Sequence, residues 1–84
     1  MTRELNYLKD VIQEMLERGQ RVAAEYRQAR ESDTSEPREI EFLAGQTQGY
    51  YEALSLLLSE LDSFGIPRQE VGVDSALSLE KELL

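Results

Sequence analysis

Residues 40–64 read IEFLAGQTQGYYEALSLLLSELDSF, and this stretch decides the fold. Within it Ile40, Leu43, Thr47, Tyr50, Leu54, Leu57, Leu61 and Phe64 recur at alternating intervals of three and four. That spacing keeps one narrow stripe of a helix turned toward a neighbour over about seven turns. Upstream, Leu5, Leu8, Ile12, Met15, Gly19, Val22, Tyr26 and Ala29 repeat the same spacing. Two matched stripes of this length predict two long helices packed on each other.

The flanking residues agree with that division. Between the stripes lies Glu31-Ser-Asp-Thr-Ser-Glu-Pro37, a polar run rich in capping residues. Pro37 suits a first helical turn, where a missing N–H is tolerated, with Ser35 or Glu36 as the cap. At the far end stands Phe64-Gly65-Ile66-Pro67. Gly65 can take the left-handed position that ends a helix, Ile66 can fold back onto Leu61, and Pro67 prevents continuation. A short connection makes the helices antiparallel neighbours. Folding one stripe onto the other in constant register pairs Ala29 with Ile40, Gly19 with Tyr50, and Leu5 with Phe64. Gly19, unfavourable inside a helix by about 1 kcal/mol relative to Ala, is read as making room for the Tyr50 ring.

Helix 2 has more apolar circumference than one neighbour can cover. Ala44, Tyr51 and Leu58 flank its stripe on one side, and Phe42, Gly49, Ala53 and Leu56 on the other. A helix apolar nearly all round is a buried helix. Gly45, Gly49 and Ala53, four apart, form a ridge of small residues that lets another backbone approach closely. Helix 1 adds Val11, Leu16 and Ala23 more weakly. The expected architecture is all-α: a hairpin over 1–65 and a C-terminal turn and short amphipathic helix over 66–84. Two such hairpins are expected to dimerise into a four-helix bundle with helix 2 central. Phe42, Gly45, Gly49, Tyr51, Ala53, Leu56 and Leu58 are the candidate self-association residues. The tail is read as a helix starting at Val73-Asp74-Ser75, with Ala76, Leu79 and Leu83 on one face and Leu77 and Leu84 beside it. It is expected to pack within the assembly, the alternative being a docking helix for a partner.

Size and composition point the same way. A domain of 84 residues buries only about 60–65% of its unfolded surface and needs a further source of stability. With no Cys and no His, disulfides and the commonest zinc ligands are excluded, which leaves oligomerisation. The net charge of −8 argues against nucleic acid, whose phosphates need clustered Lys and Arg. Residues 1–32 are neutral, with six basic and six acidic side chains, whereas residues 33–84 hold eleven acids against Arg38, Arg68 and Lys81. The excess charge is read as a solvated face, with an acidic docking surface for a basic protein partner as the alternative. No apolar run exceeds Leu56-Leu57-Leu58, and the N-terminus lacks a leader pattern, so a cytoplasmic protein without a membrane span is expected.

The residues offer little chemistry. Acid–base work would rest on Glu, Asp, Tyr or Lys, and covalent catalysis on Ser or Thr. Asp10, Glu14 and Glu17 fall at outward positions. The paired Glu pattern with which small all-α nucleotide pyrophosphohydrolases hold Mg²⁺ is missing, and Glu60 and Asp62 point to different faces. Glu31–Glu41 lacks the spacing and central Gly of a calcium loop, and there is no phosphate loop or nucleophile elbow. Ser59-Glu60-Leu61-Asp62 matches part of the Ser-Gln-Glu-Leu-Asp signature of a family of small helical aspartyl-phosphate phosphatases. Lacking the Gln and standing at a helix end, those four residues assign no family. Tyr50 and Tyr51 are read as core, with a ligand groove as the alternative. The sequence therefore points to a non-enzymatic helical homodimer, without cofactor or metal, acting as a structural, adaptor or regulatory interaction module. The alternative is a small acidic inhibitor, antitoxin-like, that blocks a basic site on another protein.

Overall fold

The first helix begins where Thr2, in extended conformation, accepts the Leu5 N–H on its Oγ1 at 3.1 Å, satisfying one of the donors that a helix start leaves free. The computed structural model describes residues 2–84. Helix α1 runs Arg3–Glu31 and helix α2 runs Pro37–Ser63. Between them Ser32 takes up the Thr34 N–H on its Oγ at 3.3 Å. Glu36 occupies the cap position of α2 without a side-chain bond, and Pro37 opens the helix. The two helices pack along each other as a hairpin, and no strand occurs among the described residues.

The stop at Gly65 follows the sequence reading. Gly65 has φ +70°, its N–H donates to the Asp62 carbonyl at 3.1 Å, and the Ile66 N–H donates to the Leu61 carbonyl at 2.9 Å. This pair of bonds satisfies carbonyls that the last turn would otherwise leave open.

Beyond it the chain differs from expectation. A 3-10 turn, Arg68–Val71, comes first, and Gly72 at φ +76° reverses the direction. Asp74 does not start a helix. Its carboxylate accepts the Ala76 N–H at 2.9 Å and its carbonyl accepts the Leu77 N–H at 3.0 Å, closing a turn. The third helix, α3, spans only Leu79–Leu83, with Ser78 as its cap. Ala76, assigned to the inner face, is exposed.

This tail lies back across both long helices. Val71, Val73, Leu79 and Leu83 are buried with Ile12, Ala23, Leu54, Leu58 and Leu61 in one core. The tail makes it a three-part core, and this is why Ala23 and Leu58, off the predicted stripes, are buried. Gly19 is closed from two sides: a Cβ there would stand 3.2 Å from Tyr50 Cβ and 3.2 Å from Leu83 Cδ2. Thr47, the buried polar residue of the stripe, donates its hydroxyl to the Leu43 carbonyl at 2.8 Å. Phe64, placed at the end of the stripe against Leu5, is exposed instead, because the helix stop turns away at Gly65.

Candidate functional site

The seven candidate self-association residues separate into two groups. Leu58 is buried in the chain's own core. Tyr51 is half-buried and donates its hydroxyl to Glu80 Oε1 at 2.8 Å. Both are covered by the tail, not left for a second copy. Phe42, Gly45, Gly49, Ala53 and Leu56 remain together on the outer side of α2. Phe42 is 65% exposed and Leu56 63% exposed, and Ala53 is half-covered. Large apolar side chains held this open, seven residues on either side of Gly49, make one contiguous stripe on the helix surface.

The glycines sharpen the point. Nothing lies within 4 Å of where a Cβ would stand at Gly45 or Gly49. Neither has a positive φ. Each weakens the helix by about 1 kcal/mol relative to Ala, and nothing inside the subunit requires the missing side chain. Gly19 has two such reasons; these two have none.

Beside the stripe runs a shallow groove between the helices, lined by Met15, Gln46, Gly49, Tyr50 and Ala53. It continues along α1 past Val11, Tyr7 and Arg18. Tyr50 and Tyr51, adjacent in sequence, are thus divided between the groove and the tail contact. At the ends of the stripe stand two charged residues that the sequence did not assign to it, Arg38 and Glu60, both exposed. The ion pairs among the described residues are Arg18–Glu14 and Arg68–Asp62, so neither is engaged. Their equal distance from Gly49, eleven residues each way, was visible in the sequence.

A polar cleft between α2 and the tail is lined by Ser55, Ser59, Asp62, Arg68, Ser78 and Glu80, four of which bond to one another in two pairs. Arg68 donates to Asp62 at 3.0 Å, and Ser78 Oγ donates to Glu80 Oε2 at 3.2 Å. The Tyr51 hydroxyl, with these neighbours, holds the Glu80 carboxyl below the usual carboxylate range, and the same bond pushes the Tyr51 hydroxyl up. Among the described residues no buried side-chain polar atom lacks a partner, and no group of three or more Asp or Glu is placed to hold a metal ion. No helix among the described residues is long and apolar enough to cross a membrane.

The accessible surface of 5904 Å² exceeds the roughly 5,100 Å² typical of a compact monomer of 9.6 kDa. The excess reflects the elongated shape of the subunit, 48 × 19 × 17 Å. No protein family, curated protein or solved structure matches the chain.

Proposed function

We propose that this chain is a non-enzymatic interaction module that works as a homodimer, with the outer face of α2 as its working surface. The observation that carries the reading is the open stripe Phe42–Gly49–Leu56, with two helix-weakening glycines that the subunit itself does not use. Small residues between two large apolar ones suit a helix that receives another helix at close range.

Light scattering at micromolar concentration is expected to give about twice the 9.6 kDa chain mass. A single 9.6 kDa species would end the proposal. Gly49→Leu is expected to disturb assembly more than Glu14→Leu. Because Gly49 faces open space within the subunit, this contrast reads the interface and not the fold. Equal tolerance of both would remove the close-approach argument.

A further inference from the structure

We infer that two copies pair through α2 in antiparallel orientation, about a two-fold axis at Gly49. The inference rests on the self-association reading and specifies its geometry. A two-fold contact is self-complementary: each residue on one side of the axis meets the residue equally far on the other side. About Gly49 three pairs of positions on the outer face of α2 satisfy this condition. Gly45 and Ala53 stand four residues away on either side, Phe42 and Leu56 seven, and Arg38 and Glu60 eleven. An antiparallel pairing centred there sets Gly49 on Gly49, small on small, apolar on apolar, and base on acid at both ends.

A parallel pairing would set Arg38 against Arg38 and Glu60 against Glu60, like charges that destabilise a helix pair. Arg38 is the one basic residue between Ser32 and Pro67, in a stretch that otherwise carries seven acids. It is exposed and outside the ion pairs among the described residues. Its position opposite Glu60 of a second copy gives each dimer two equivalent charge pairs and assigns the direction of the helices. The open space over Gly45 and Gly49 is the crossing point, where the missing side chains let the backbones approach.

The chain has no Cys, so single substitutions report the geometry directly. Under mild oxidation Gly49→Cys is expected to cross-link to itself, because a disulfide needs Cα atoms within about 7 Å. Phe42→Cys and Leu56→Cys are expected to cross-link to each other when mixed. Alone they should not, since like positions would lie about 21 Å apart along the helix axis. Phe42→Cys or Leu56→Cys closing on itself would mean a parallel pair and overturn the inference, leaving self-association intact. A dimeric mass without any of these cross-links would place the contact on another face and overturn it too. A monomeric unmodified chain would remove both readings together. In parallel, Arg38→Glu should weaken dimerisation about tenfold, through two exposed pairs per dimer. Adding Glu60→Arg should restore it to within about twofold. No loss on Arg38→Glu, or no rescue by the double variant, would overturn the end pairing.

Discussion

Gly19 and Gly49 both stand inside unbroken helices, yet their surroundings assign them opposite roles. At Gly19 a Cβ would press on Tyr50 Cβ and Leu83 Cδ2, each at 3.2 Å, and Tyr50 Cβ is fixed to a packed helix. Gly19→Leu is therefore expected to destabilise the subunit by about 1–3 kcal/mol through overpacking, measured by urea denaturation. A variant as stable as the parent would mean that the close contact is not a constraint. Tyr51 and Glu80 belong to the same scale. Glu80 has its carboxyl lowered from 4.5, so its contribution is complete above that ordinary value and lost as pH falls through the lowered one. Tyr51 has its hydroxyl raised from 10.0, so its contribution is complete below that value and lost as pH rises through the raised one. Protection of the α3 amides, taken relative to their intrinsic base-catalysed exchange rate, should thus be greatest between these limits, and Tyr51→Phe should reduce it at neutral pH. An unchanged exchange rate in Tyr51→Phe would dismiss the bond as a tail fastening.

At the scale of elements, the tail is the part whose removal has a clear expected cost. Leu83 is 2% exposed and Leu84 61% exposed. Leu83→Ala should cost about 2–3 kcal/mol, at the low end for a buried leucine because a short terminal helix can yield. Leu84→Ala should stay within about 0.5 kcal/mol. Equal effects in chemical denaturation would mean that the tail does not pack as described. Deleting residues 73–84 uncovers Ile12, Leu54 and Leu58 and should lower the melting temperature. The two long helices were legible because their stripes are local and repetitive, and the stop at Gly65 because it depends on glycine itself. The start of α3 was not, because Asp serves equally well as a helix cap and as the head of a turn, and Asp74 takes the second role. The periodicity of α2 marked two apolar flanks without saying which one the tail would cover. That choice rests on contacts such as Leu83 against Gly19, made between residues far apart in sequence.

The molecule as a whole is a rod of 48 × 19 × 17 Å with a radius of gyration of 14.7 Å, against about 12 Å for a compact chain of this length. That elongation leaves one long side of α2 uncovered, the side proposed above for pairing with a second copy. The tail, in contrast, settles the other side within a single chain. It is joined to the hairpin through Gly72, whose carbonyl accepts the Gln13 side-chain amide at 2.8 Å. A segment on so short a leash is present at its own groove at an effective concentration of about millimolar. A loose peptide of the same pattern, supplied at micromolar strength, would compete against that resident occupant at a disadvantage of about a thousandfold. The groove over Ile12 and Leu54 is thereby guarded by its own occupant, and an intruder must bind far better than the segment it displaces.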